Sequence, residues 1–301
     1  MIQLSPGRKF YNSLSLAIER GDLAALESFY RHDAVQVDVG SGQVFTGRAA
    51  IVAAAGDTIA AAGPVRLAAL EKIAEYGEAI GVEARVATRN EEFVIYDLFV
   101  LEAGAVRYQV TGTIAPRQLS AGQHGHAPDT AEHRFYARFH AAQQAADYAQ
   151  LRTLYRPDAV VLFPSAGVVM PGREAILEMR EKNARNGGAS RRKAMVDYRD
   201  APAVICAEEV ANVKPGVPEH VRNLLSRGLG VSVNVASTSA DPGYDVLSYE
   251  VLILRSGAVR YQFGGMIKPR LEELAAMSKQ RADAIRDAWQ TSNRMWANER
   301  R

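Results

Sequence analysis

The chain predicts an α+β fold in two tandem domains, each with N-terminal helices packed on an antiparallel sheet, followed by a C-terminal helix. Three observations lead there. The six residues GAVRYQ occur at 104–109 and again at 257–262. Longer stretches recur as well: YRHDAVQV (30–37) answers to YRPDAVVL (155–162), TGRAAI (46–51) to PGREAI (171–176), and YDLFVLEAGAVRYQVTGTIAPR (96–117) to YEVLILRSGAVRYQFGGMIKPR (249–270). Each copy opens with apolar residues at helical spacing and ends in extended segments. Helices first and strands after them is the order of an α+β domain with its helices on one sheet face.

The copies are offset by 125 residues early and by 153 late, so the second has gained 28 residues between its halves. VKPGVPEHVRNLLSRGLG, Val213–Gly230, is the insert the comparison points to. The expected organisation is a first domain over 1–117, a linker over 118–130, a second domain over 131–270 with an insert near 213–230, and a C-terminal amphipathic helix over 271–301. The linker reading rests on a polar, Gly/Pro-bearing stretch without periodicity.

In the first copy, FYNSLSLAIERGDLAALESFY reads as two helices broken at Gly21-Asp22. Gly21 suits the left-handed cap of one and Asp22 the N-cap of the next. A short strand is expected at Ala34–Val39, a helix from near Gly47, and a meander of strands from Val65 onward. LEAGAV and LRSGAV read as hairpin turns with glycine at the position of positive φ. In Phe93–Leu101 both alternating sets are mostly apolar, which is the pattern of a strand buried on both faces. One face would meet the domain's own helices and the other the second copy, as an internal pseudo-dimer.

Composition excludes several classes. Hydrophobic content of 48% with 23% charged residues is that of a globular chain, and a net charge of +2 leaves no footprint for nucleic acid or an anionic membrane. A single cysteine, Cys206, forms no internal disulfide, and no apolar run is long enough for a membrane span. The N-terminus lacks a signal-peptide core, so the expected location is cytoplasmic. His124 and His126 stand two apart without a third ligand nearby, and neither a metal nor a cofactor is expected.

Asp97 is the strongest chemical signal: a carboxylate in the middle of a two-sided apolar strand must be paired, hydrogen-bonded or protonated. Either Ile95 and Phe99 wall a pocket that raises its pKa, or it pairs with Arg85 or Arg107. Asp38, in DAVQVDVGSG, reads by itself as a turn former ahead of Gly and Ser.

The layout GDL…DAVQVDVGS…TGRAAI…YDLFVLEAGAV resembles the ketosteroid isomerase and SnoaL-like polyketide cyclase superfamily, the cone-shaped α+β fold named after nuclear transport factor 2. The resemblance covers both copies. It implies cone-shaped domains and cofactor-independent isomerase or cyclase chemistry on an apolar, polyketide-like or polycyclic small molecule of natural-product biosynthesis. Within it, Asp38 takes the position of the proton-shuttling base, and Asp97 that of a protonated carboxylic acid that hydrogen-bonds the developing enolate, as in ketosteroid isomerases. The family's tyrosine donor falls on Leu14, with Tyr11 one helical turn earlier. Tyr11, Leu14, Gln36, Phe99, Gln109 and Thr111 would line the substrate site. The same resemblance admits epoxide hydrolysis or epoxide-opening cyclisation; a non-catalytic small-ligand-binding scaffold is the reading from a different class.

In the second copy, Phe163 stands at the position of Asp38 and Glu250 at that of Asp97. The candidates there are His140, Glu250 and Gln262, with His140 either a base oriented by Glu250 or a packed helix residue. The expectation is a fold kept twice and chemistry kept once, with a homodimer as a further assembly option.

Overall fold

Ser5 starts the first helix: its side chain accepts from the amide of Arg8, and Pro6 follows at a position where no amide donor is needed. The computed structural model describes residues 4–89, 91–114, 129–185, 191–213 and 244–267. The chain divides into two compact units.

In the first, α1 (Pro6–Arg20) ends at Gly21, whose φ of 64° is the left-handed cap the sequence predicts. The Asp22 side chain then accepts from Ala25 and opens α2 (Leu23–Phe29). β1 (Tyr30–Asp38) and β2 (Gln43–Thr46) form a hairpin, α3 (Arg48–Ala62) follows, and β3 (Arg66–Tyr76), β4 (Ala79–Ala87), β5 (Glu92–Glu102) and β6 (Ala105–Thr113) complete the domain. The β5–β6 turn places both Ala103 and Gly104 at positive φ, 51° and 82°. That is the twist a two-residue hairpin requires.

The sheet order is β2-β1-β6-β5-β4-β3. β3 to β6 form the antiparallel meander the sequence predicts, but β1 pairs with β6 in parallel. The sheet is therefore mixed rather than antiparallel throughout. The physical reason is the long connection: α3 and four strands separate β1 from β6, enough chain to return a strand in the same direction.

The helix-side face of the sheet carries the core. Tyr11, Leu14, Leu26, Ile51, Ile80, Val82 and Phe99 form one apolar cluster. The other set of β5, Tyr96, Leu98 and Val100, is buried too, as the two-sided apolar pattern requires.

The second domain repeats the plan with α4 (Ala131–Gln144), α5 (Tyr148–Leu154), β7 (Tyr155–Phe163), a 3-10 turn at Pro164–Ala166, β8 (Val168–Pro171), α6 (Arg173–Arg185), β9 (Arg191–Ala201), β10 (Val204–Val213), β11 (Tyr244–Arg255) and β12 (Ala258–Ile267). Its order, β8-β7-β12-β11-β10-β9, matches the first element for element, with β7 and β12 again parallel. Asp147 caps α5 as Asp22 caps α2. The expected C-terminal helix, His124 and His126, and all of the expected insert after Val213 lie outside the described residues. Among the described residues no helix is long and apolar enough to cross a membrane.

Candidate functional site

Strand register builds the first domain's site. Asp38 on β1 is opposite Thr111 on β6, and Thr111 is opposite Asp97 on β5. Residues paired across adjacent strands project to the same face. Asp38, Thr111 and Asp97 therefore form one row, and Gln36, Gln109 and Phe99 form the next row two residues along.

Asp97 is 7% exposed. Tyr11 Oη donates to its Oδ2 at 3.1 Å and Gln109 Nε2 to its Oδ1 at 3.3 Å. Tyr30 Oη in turn donates to Gln109 Oε1 at 2.6 Å, which fixes the amide with its nitrogen toward the acid. Burial pushes the Asp97 carboxyl above the ordinary carboxylate range, and the charge of Asp38 adds to it; hydrogen bonds from Thr111, Gln109 and Tyr11 oppose the rise without cancelling it. Burial and then the Asp97 charge also push the Tyr11 phenol well up, so it remains a donor at neutral pH. Arg85 and Arg107 are engaged elsewhere: Arg85 with Glu71 and Glu92, Arg107 with Asp33. Pairing of Asp97 with either arginine is not what satisfies it.

Asp38 is partly exposed. Its carboxylate accepts from the Ser41 amide at 3.2 Å and from Ser41 Oγ at 2.8 Å, the turn-forming bonds expected of Asp before Gly and Ser. The row thus carries one wet, hydrogen-bonded carboxylate and one dry, tyrosine-bound carboxyl on the same face. Leu14 and Phe99 belong to the core, 1% and 0% exposed, with Phe99 edge-on to Tyr11 at 6.1 Å between ring centres. Of the lining residues expected from the sequence, Leu14 packs in the cone's apolar body, Gln109 and Tyr11 hold Asp97, and Thr111 lies between the two acids. Gln36 flanks Gln109. Tyr30 is the site residue that sequence reasoning missed, although the Tyr at the head of both YRxDAV repeats was a signal for it.

The second domain differs at the same positions. Phe163 replaces Asp38, and Gly264 replaces Thr111. A side chain at Gly264 would meet the Phe163 ring at 2.6 Å, so the two changes fit each other: the ring occupies what a threonine would fill. Glu250, opposite Gly264 in register, accepts from Gln262 Nε2 at 2.5 Å and is reached by the Gln143 amide at 3.4 Å. Tyr155 Oη donates to Gln262 Oε1, repeating the Tyr30–Gln109 bond. His140 sits on α4 one turn after Tyr136, with ring centres 6.1 Å apart. Burial, and then the neighbouring Glu209, push Glu250 up to about 7. Among the described residues no group of three or more His, Cys, Asp or Glu is arranged to hold a metal ion.

No family model and no curated protein matches the chain. Solved structures do. A hypothetical protein with a ketosteroid isomerase-like fold from Catenulispora acidiphila, in complex with trimethylamine, is 18% identical over 36% of this chain and 85% of its own, with a TM-score of 0.33. An NTF2-like protein of unknown function from Cytophaga hutchinsonii is 11% identical over 38% of this chain and 94% of its own, with a TM-score of 0.31. A candidate SnoaL-like polyketide cyclase from Shewanella putrefaciens is 12% identical over 37% of this chain and 81% of its own, with a TM-score of 0.34. Each of these three matches covers between 36% and 38% of this chain.

Proposed function

We propose that the first domain is a cofactor-independent isomerase or cyclase that moves a proton on an apolar, enolisable small molecule, polyketide-like or polycyclic. One observation supports it above the others: Asp38 and Asp97 share a row on one face, with Asp97 buried beside Tyr11 and its pKa pushed up by that burial while Asp38 is partly exposed. Two strand spacings separate their Cα atoms by about 10 Å, room for the carbon and oxygen of a carbonyl unit between the side chains.

In this reading the Asp38 carboxylate removes a proton next to the substrate carbonyl. The C–H electron pair moves into the enolate, whose oxygen accepts a hydrogen bond from the neutral Asp97 carboxyl, with Tyr11 behind it. Return of the proton from Asp38 to another carbon gives an isomer; attack of the enolate carbon on a second carbonyl breaks that C=O π bond and closes a ring, and the proton on Asp38 passes to the resulting alkoxide.

The test is hydrogen–deuterium exchange in heavy water, followed by NMR, on a panel of β,γ-unsaturated cyclic ketones, linear polyketones and epoxides. Catalysed exchange next to the carbonyl should fall by about a hundredfold or more in Asp38→Asn. Exchange equal in Asp38→Asn and wild type sinks the assignment. A second reading, a small-ligand-binding scaffold, is favoured by the full burial of Leu14 and Phe99 and by the Asp38–Ser41 turn. It expects binding to the panel with no exchange.

A further inference from the structure

Two positions on the helices of the first domain, Ile18 and Ala55, pack against its apolar core. In the second copy they are Gln143 and Arg180. An apolar pair has become a polar pair on the same helix faces, and Arg180 reaches into the network behind Glu250. Its Nη2 donates to Tyr155 Oη at 2.9 Å and to Gln262 Oε1 at 3.0 Å. Gln143 lies between Arg180 and Glu250: in one amide orientation its nitrogen faces Glu250 at 3.4 Å, and in the other its oxygen accepts from Arg180 at 3.1 Å.

All of these acceptors are neutral. Among the described residues no carboxylate lies within salt-bridge distance of Arg180, and its Nε is buried without a hydrogen-bond partner. A guanidinium taken out of water without an anion is costly, whereas the planar fork matches a carboxylate in two parallel bonds. Arg180 and Glu250 are partly accessible, while Tyr155 and Gln262 behind them are 1% and 2% exposed. Aromatic surface is at hand: the partly exposed Phe163 lies over Gly264.

From this we infer that the second domain binds a small carboxylate on an apolar body, with Arg180 as the anion-binding residue. The site stands in the other repeat from Asp38 and Asp97 and does not rest on the reaction proposed there. Glu250 does not pre-empt the guanidinium: the amides of Gln262 and Gln143 separate the two, and burial pushes Glu250 up to about 7 although the Arg180 charge pulls against the rise.

The experiment is calorimetric titration of the full chain with benzoate and with its neutral counterpart benzamide. Benzoate should saturate one site, and benzamide should bind about tenfold more weakly or worse. Arg180→Gln should reduce benzoate to the level of benzamide, while Arg152→Gln, which removes an exposed charge, leaves it unchanged. Glu250→Gln should tighten benzoate binding. Equal binding of benzoate and benzamide, no saturation by benzoate, or an equal loss in Arg152→Gln overturns the inference. If Arg180→Gln does not fold, the comparison of the two probes on the wild-type chain and the Glu250→Gln result still decide it.

Discussion

Tyr11 Oη donates to Asp97 Oδ2 at 3.1 Å, joining the first helix to the fifth strand across 86 residues of chain. The resemblance in the sequence puts a donor one helical turn later, where Leu14 stands buried among Leu26, Ile51 and Phe99. The phenol therefore enters the cone from a neighbouring position on the same helix. It meets the acid rather than standing free beside it, and in the proposed reaction a substrate oxygen would address the Asp97–Tyr11 pair as a unit.

Tyr11→Phe should cost about 1 kcal/mol of stability, the ordinary net value of one hydrogen bond. The bond also favours the ionised acid, so its loss should raise the Asp97 pKa further. Chemical denaturation and a carbon-13 titration of the carboxyl carbon read the two effects. A lowered Asp97 pKa in the variant contradicts the geometry.

The burial of Asp97 gives stability a pH dependence. Its folded pKa is raised, so between the unfolded value of about 3.9 and the higher folded value the native state holds more protons than the unfolded chain. Its contribution is fully present below about pH 3.9, declines as pH rises through that window and is level above the folded pKa. Asp97→Asn removes this decline. The melting temperature of the variant relative to wild type should climb across the window, and a constant difference argues against a raised pKa.

Glu250 should behave in the same sense over a defined range. Its contribution falls from the unfolded value of about 4.3 and levels off near the folded value of about 7. Removing the like charge with Glu209→Gln should lower the Glu250 pKa and bring the upper end of the window down. Tyr136, which donates to Glu209, provides a control: Tyr136→Phe leaves the Glu209 carboxylate in place and should not bring that end down. Thermal melts at half-unit pH steps check both variants.

Gly264→Ala should destabilise the second domain by about 1–3 kcal/mol, because the added methyl meets the Phe163 ring at 2.6 Å. In a Phe163→Ala background the same change should cost much less. A double-mutant cycle measures the coupling, and additive effects would show that the ring moves aside freely.

Much of the fold was legible because its signals are local. Gly21 and Asp22 mark a helix end and a helix start by their own conformational chemistry, and both caps form as read. The paired apolar sets of Phe93–Leu101 announced a strand buried on both sides, and with it the burial of Asp97. The Ser41 bonds to Asp38 were readable for the same reason, since three residues separate the partners. The parallel pairing of β1 with β6 was not legible: strand direction across a long connection leaves no mark in either strand's alternation.

By itself the sequence determined that the chain carries one α+β plan twice, and that an acid lies in an apolar strand of each copy. It also determined that the copies differ at the rim, Asp38 against Phe163. Tertiary structure decided what those acids touch. Tyr11 reaches Asp97 from 86 residues away, and Arg180 comes within one amide of Glu250 from 70 residues away. Such contacts depend on how helices settle on a twisted sheet. A shift of one helical turn, Leu14 to Tyr11, changes which group meets the acid while the hydrophobic pattern stays the same.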